Sequence, residues 1–244
     1  MSGTVLLLPP SEGKNTGGSF KHSPDRFKSQ LAKPRLEVLA ALEALVTTAA
    51  PDVVAKRLKV RNDLFDRALV ASSELIAGTA KQLPAWLRYS GVVWANLDPG
   101  TLSSDARRRI LVPSAIYGLT NAEDMIADYR LMMNVPLPGL GTIASFWRPS
   151  LTELLRGLAR RAQIVNLLPN EHAGAVGLRD IGHVVDVGFV QRDGQRAAGH
   201  FAKAAKGRFA RHVIDHGIGA ATEFSMPGWK VSESGTGYLV VAST

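Results

Sequence analysis

The chain has 244 residues, 45% of them hydrophobic, enough to bury one substantial core, so a single domain is expected over residues 1–244. It contains no cysteine, which excludes disulfides, thiolate nucleophiles and cysteine-ligated zinc. The formal net charge of +8 favours polyanionic partners, nucleic acid first among them.

The first ten residues, MSGTVLLLPP, lack the basic start of a signal peptide, and their apolar run is short. The uncharged run from Leu131 to Trp147 is broken by Pro136, Pro138, Gly139 and Gly141, so it is not read as a membrane span. A soluble, cytoplasmic protein is expected. Val5 to Leu8 reads as a buried strand, followed by a loop, Ser11-Glu-Gly-Lys-Asn-Thr-Gly-Gly18, with the glycines, hydroxyls and lysine of an anion-contacting turn. It is not a Walker A loop, because Asn15 replaces the hydroxyl expected after the lysine.

Residues 28–59 read as two helices broken at Pro51, with Leu36, Leu39, Ala40, Leu42 and Val46 inward. Asn62 is expected to cap a third, with Leu64, Phe65, Ala68 and Leu69 inward. Tyr89 to Leu97 is apolar and ambiguous, Asp98-Pro-Gly100 is a turn, and Ser104 opens a short helix whose Arg107, Arg108 and Arg109 read as a solvated face.

The run RILVPSAIYG reads as a strand ending at Gly118, after which Asn121 is expected to cap a short helix with Glu123 and Asp124 in its first turn. The hairpin Leu137-Pro-Gly-Leu-Gly141 is expected between two helical segments, similar to the turn of a helix-hairpin-helix unit. There the N–H groups of Gly139 and Gly141 can approach a phosphate closely, although Thr142 stands where a basic residue is usual. A capping box, Ser150-Leu-Thr-Glu153, places a helix from Leu151 to Arg161, and Gln163 to Leu168 reads as a strand. A hairpin is expected from His183 to Phe201 about Asp193-Gly194. A helix from Phe201 to His216 carries Lys203, Lys206 and Arg211 in one arc opposite Phe201 and Phe209, and Tyr238 to Val241 is a last strand. Strands and helices interleave, so the fold class is α/β, a mixed sheet with surrounding helices.

No dinucleotide fingerprint, serine elbow or kinase set is present, and no cofactor is called for. His212 and His216 stand four apart on one helix without a third ligand by spacing, so no metal is expected. Asp124 and Glu171 follow candidate strand ends and are candidate proton-transfer groups.

In order along the chain, PPSEGK with Ser11 and Lys14, the Tyr89-Ser-Gly91 triplet, SAIYGLTNAEDMIADYRLMM, Phe146-Trp147, Asn166-Leu167 with Glu171, the Lys203/Lys206/Gly207/Arg211 helix, and Phe224 with Gly228 resemble the YaaA family of bacterial peroxide stress proteins. The third segment puts Ser114, Tyr117, Gly118, Asp124, Tyr129, Arg130 and Leu131 on motif positions. The sequence departs from the family at Glu12-Gly13 with its extra glycines, and at Asn121, where an arginine is common. The resemblance implies a single compact α/β domain with a helix-hairpin-helix-like element, cytoplasmic location, binding to duplex or distorted DNA, and a part in limiting peroxide damage.

Two functions follow as expectations. In a DNA-binding stress protein, Lys14, Arg130, Lys203, Lys206 and Arg211 neutralise phosphates while Gly139 and Gly141 add backbone contacts. In an enzyme acting on a phosphate-bearing or nucleobase-like small molecule, Ser11, Lys14, Ser114, Tyr117, Tyr129, Arg130 and Asn166 line a pocket. Asp124, Glu171 or Tyr117 then carries the catalysis.

Overall fold

The computed structural model describes residues 3–20 and 25–243, without the side chain of Asp180. The chain begins with β1 (Gly3–Leu7), and three helices follow: α1 (Lys28–Thr48), α2 (Pro51–Leu58) and α3 (Asp63–Ile76). A short strand β2 (Gln82–Pro84) leads into helices α4 (Ala85–Arg88), α5 (Val92–Leu97) and α6 (Ser104–Arg107). Strands β3 (Ile110–Ser114), β4 (Gly118–Asn121), β5 (Met125–Ala127), β6 (Pro136–Leu137) and β7 (Gly141–Thr142) precede helix α7 (Ile143–Ala159). Then come β8 (Ala162–Asn166), α8 (Asn170–Ala173), β9 (Val184–Val190), α9 (Gly199–His216) and a closing hairpin of β10 (Trp229–Ser234) and β11 (Gly237–Ala242).

Seven strands form one mixed sheet in the order β10-β11-β9-β8-β1-β3-β4. The five inner strands are parallel, and β4 and β10 run antiparallel at the two edges. β1 is an inner strand, pairing Leu6 with Ile110 on one side and with Val165 on the other. A strand covered on both faces needs apolar side chains at every position, and Val5 to Leu8 are all buried. The chain turns into β4 at Gly118, whose φ of +71° favours glycine; a Cβ there would also stand 2.7 Å from the Trp147 ring. Helix α9 packs on α5 through Gly207, where a Cβ would come within 2.3 Å of the Val93 carbonyl oxygen. Among the described residues, no helix is long and apolar enough to cross a membrane.

Several elements differ from those expected. Asn121 ends β4 instead of capping a helix: its Nδ2 donates to Arg108 O and Ile110 O, and residues 122–124 form a turn into β5. The residues ahead of Gly139 and Gly141 are not helical. The two glycines, at φ +75° and +68°, shape a β6–β7 hairpin that runs into one helix, in place of two. That helix, α7, starts two turns ahead of the Ser150 capping box: Thr142 Oγ1 accepts from Ser145 N, and the helix continues through Pro149. Tertiary packing outweighs the missing proline N–H, since this first stretch buries Trp147 completely and joins its Nε1 to Ala115 O at 2.9 Å.

After β9 the chain makes only an isolated bridge, Val190 with Arg196, before Gly199 opens α9, so the expected return strand to Phe201 does not form. β9 pairs instead with β11 in parallel, and β11 pairs on its other side with β10, a strand not expected from the sequence. In α1 the buried face is Leu31, Val38, Ala41, Leu42 and Leu45, leaving Leu36 exposed, and Leu64 of α3 is likewise exposed. Arg107, read as solvated, pairs with Glu123 at 2.7 Å and lies over the Trp86 ring.

Candidate functional site

The carboxyl ends of neighbouring parallel strands are where an α/β sheet leaves its loops free to converge. Here β1, β3 and β8 are neighbours, and they lead into Ser11 to Lys14, Ser114 to Tyr117, and Asn166 to His172.

The first loop is held from below. Trp94 Nε1 donates to Pro9 O at 3.1 Å, and Asn15 Nδ2 donates to Leu87 O at 2.7 Å. The buried Arg88 guanidinium donates to the carbonyls of Asn15, Gly17, Lys81 and Ile126. Gly91 lies flat against the turn, since a Cβ there would stand 2.2 Å from Ser11 Oγ. Arg88 was missed in the sequence because nothing local distinguishes an arginine that binds carbonyls from a surface one.

That turn buries Lys14 to 9% exposure. Its Nζ donates to Ser11 O at 2.9 Å and stands 4.1 Å from the Tyr129 ring centre and 5.8 Å from that of Tyr89. Burial strips the ammonium of water and brings its pKa down to about 7; Arg130 and Arg67 push the same way, while Asp128 and Glu12 oppose. Above it runs a hydroxyl chain. Tyr89 and Tyr129 share a hydrogen bond of 3.1 Å, Ser114 Oγ donates to Tyr129 Oη at 3.0 Å, and Tyr117 N donates to Ser114 Oγ at 3.2 Å. Burial raises the pKa of Tyr129, pushes that of Tyr117 to about 12 and lifts Tyr89 well above its ordinary value. All three are neutral phenols at physiological pH.

Arg130 reaches over the same loop, donating to Glu12 O at 3.2 Å, while its buried Nε has no partner among the described residues. On the β8 side, Asn166 Nδ2 donates to Asp186 Oδ1 at 2.6 Å. Lys206 Nζ donates to Leu167 O at 2.7 Å beside the Phe189 ring, and burial lowers its pKa to about 8. His172 is held neutral down to about pH 4 by burial first, then by the charges of Lys206 and Lys14. Its Nδ1 and Glu171 Oε1 are buried without partners among the described residues.

The structure thus gathers Ser11, Lys14, Ser114, Tyr117, Tyr129 and Arg130 around one point, and brings Glu171, Asn166 and Lys206 to the adjoining strand end. Asp124 stands elsewhere. In the antiparallel β3–β4 pair Gly118 lies opposite Ser114, whereas Asn121 lies opposite Leu111 at the other end. There the Asp124 carboxylate accepts from Asn121 N at 2.7 Å and Arg26 N at 3.3 Å, and burial lifts its pKa to about 6. Asp124 and Glu171 therefore do not face each other as an acid–base pair.

The basic arc on α9 is also divided. Lys203 is exposed and Lys206 turns inward. Arg211 pairs with Asp215 at 2.7 Å and donates to Thr101 Oγ1 at 2.6 Å. Gly139 and Gly141 lie exposed near the end of α2, where Arg57 and the C-cap residue Lys59 donate to Pro136 O and Asn134 Oδ1. The His212 and His216 ring centres stand 4.8 Å apart at a tilt of 48°, and the described residues contain no group of three or more metal-ligating side chains that could hold an ion.

A family model described as peroxide stress protein YaaA matches residues 5–234. A UPF0246 protein of Corynebacterium glutamicum is 34% identical over 214 residues, covering 85% of this chain and 83% of that one. One from Streptomyces coelicolor is 32% identical over 87% of this chain and 84% of its own length. One from Bacteroides thetaiotaomicron is 29% identical over 82% of this chain and 85% of its own length.

Proposed function

The chain belongs to the YaaA family of peroxide stress proteins, and from that premise we propose that it is an enzyme acting on a phosphate-bearing or nucleobase-like small molecule at the carboxyl ends of β1, β3 and β8. The observation that carries this reading is the Lys14 amine. A lysine kept only for packing is solvated at its tip or paired with a carboxylate, because an unpaired buried ammonium is costly. Lys14 instead gives one hydrogen bond, to Ser11 O, and rests its charge on tyrosine rings. Its remaining N–H groups suit an anionic ligand, and so does the unpartnered Nε of Arg130.

With a pKa near 7, Lys14 exchanges a proton with bound substrate at working pH without a large driving-force penalty. Arg130 then holds the anion, Ser114 and Tyr129 fix the ring under the amine, and Glu171 and Asn166 accept from or donate to the rest of the ligand. The cytoplasm is its proposed location. Thermal-shift and NMR titrations with nucleotides, nucleosides, nucleobases and phosphate test the reading on the wild type and Lys14→Gln. A ligand that raises the melting temperature of the wild type alone is the expected result. No ligand shifting the wild type, or a shift retained by the variant, removes the proposal.

A second reading, binding of duplex or distorted DNA, is favoured by the surface around Gly139 and Gly141. There the exposed Lys56, Arg57, Lys59 and Arg61 gather beside a hairpin that offers bare backbone to a phosphate. Fluorescence anisotropy on labelled duplex DNA should then show a steep salt slope that Lys59→Glu/Arg61→Glu flattens. Salt-independent binding, or binding unchanged in that variant, discards it.

A further inference from the structure

Lys206 reaches the strand-end site from the β8 side, where the exit of β8 is bonded to the exit of β1. Leu167 N donates to Leu7 O at 3.1 Å, tying the exit of β8 to the exit of β1, and Leu167 O takes the Lys206 ammonium at 2.7 Å. Lys206 is partly buried with the Phe189 ring 5.1 Å from its Nζ, and the exposed Arg196 bridges to Val190, the next residue along β9, which brings a second cation to that strand end. His172 lies in α8, just past the exit of β8, where burial first and then the charges of Lys206 and Lys14 lower its pKa. Its Nδ1 and the Oε1 of Glu171 are buried with no partner among the described residues.

A partly buried lysine and an arginine at the strand end that also holds an unpartnered, buried histidine nitrogen concentrate positive potential where packing does not require it. A packing role for Lys206 needs only its aliphatic stem and the bond to Leu167 O. It explains neither the approach of Arg196 nor the unpartnered His172 nitrogen.

We propose that Lys206, His172 and Arg196 form a second anion subsite adjoining that of Lys14 and Arg130, so that the ligand carries two linked anionic groups, as a pyrophosphate or a diphosphate ester does. This rests on the preceding reading of the strand-end site and narrows its substrate class. One anionic group sits against Lys14 and Arg130, and the other against Lys206 and Arg196. His172, as a neutral imidazole, donates to the bridging region, and Glu171 accepts an N–H or O–H from the organic part of the ligand. Two cationic subsites at neighbouring strand ends select against a monoanion, because a single small anion satisfies only one of them.

The test is isothermal titration of the wild type, Lys14→Gln, Lys206→Gln and Arg196→Gln with inorganic orthophosphate and with inorganic pyrophosphate at pH 7. The wild type should bind pyrophosphate at least about tenfold more tightly than orthophosphate, the increment of one further charge-assisted contact. Lys206→Gln should bring pyrophosphate down to the orthophosphate level and leave orthophosphate itself unchanged. Arg196→Gln, an exposed substitution that leaves the core untouched, should weaken pyrophosphate in the same selective way, and it keeps the test valid if Lys206→Gln does not fold. Equal affinity of the wild type for the two anions, with orthophosphate still lost in Lys14→Gln, overturns the second subsite alone. Pyrophosphate affinity unaffected by both the Lys206 and Arg196 variants overturns it as well. Failure of the wild type to bind either anion removes the strand-end reading together with it.

Discussion

The Lys14 ammonium stands 4.1 Å from the centre of the Tyr129 ring, and the Tyr129 hydroxyl is held in turn by Tyr89 and Ser114. A cation over an aromatic face is attracted to the ring quadrupole, but this interaction replaces only part of lost hydration. Lys14 is thus a residue that the fold tolerates at a cost, which is the usual mark of a site kept for chemistry.

That cost has a defined pH dependence. The amine titrates near 10.5 when free and at about 7 in the fold. Below about pH 7 both states hold the proton and the full burial cost is present. Between about 7 and 10.5 the unfolded chain holds a proton that the fold has released, so the contribution of this group to stability improves as pH rises. Lys14→Met should therefore be more stable than the wild type at pH 7 by about 3 kcal/mol, at roughly 1.4 kcal/mol per pKa unit less the lost hydrogen bond. Urea unfolding at several pH values checks this: the gap should shrink toward pH 10, and a variant less stable than the wild type at pH 7 contradicts it.

Tyr129→Phe separates the aromatic platform from the hydroxyl chain. Phenylalanine keeps the ring beneath Lys14 but leaves Ser114 Oγ and the Tyr89 hydroxyl without their shared partner in a buried place. The expected loss is about 1–3 kcal/mol of stability. Anion binding measured by calorimetry should be retained, because Lys14 keeps its cation–π contact.

Asp124 tests the reverse sign. Its carboxyl pKa is lifted from 3.8 to about 6, chiefly by burial. The fold therefore holds the proton more tightly than the unfolded chain, and the stabilising contribution, full below pH 3.8, is lost as pH rises through 6. Asp124→Asn removes the ionised form and should match or exceed the wild type at pH 7, by up to about 3 kcal/mol, with the advantage gone near pH 4. Because Asp124 lies at the other end of β3, ligand binding at the strand-end site should not change in this variant. A variant that loses binding while melting normally restores Asp124 to the site.

Two glycines on helices should respond oppositely to alanine. In Gly207→Ala the new methyl would meet the Val93 carbonyl oxygen at 2.3 Å and Asn96 Cβ at 2.8 Å, forcing α9 away from α5, with a loss of about 2 kcal/mol or more. Gly157 is exposed on α7 with nothing within 4 Å, so Gly157→Ala should gain about 0.5–1 kcal/mol through helix propensity. Thermal melts of the two variants decide both.

Much of this protein is determined by the sequence on its own. Val5 to Leu8, Ile110 to Val112 and Ile164-Val165 are apolar at consecutive positions, and only strands covered on both faces need that, so a central parallel sheet is legible in them. Pro51 opens α2 at its first position and Gly217, at φ +83°, ends α9, as their local backbone preferences lead one to expect. The membership of residues such as Ser11, Lys14, Ser114, Tyr129 and Arg130 in one set is legible as well, because each follows a strand or lies on the same short motif.

Tertiary structure decided the rest, wherever two local preferences were close in energy. The Asn121 side chain fits a helix cap as well as a strand end, and the open carbonyls of Arg108 and Ile110 settled it as a strand end. The box at Ser150 lost to a helix start at Thr142 because burying Trp147 outweighs one missing N–H at Pro149. Above all, the sequence places Lys203, Lys206 and Arg211 on one arc, but only the packed helix shows which cation faces water and which faces another strand's carbonyl. Helical periodicity fixes angles about a single axis, whereas burial and pKa depend on what stands opposite, and that is set by residues far away in the chain.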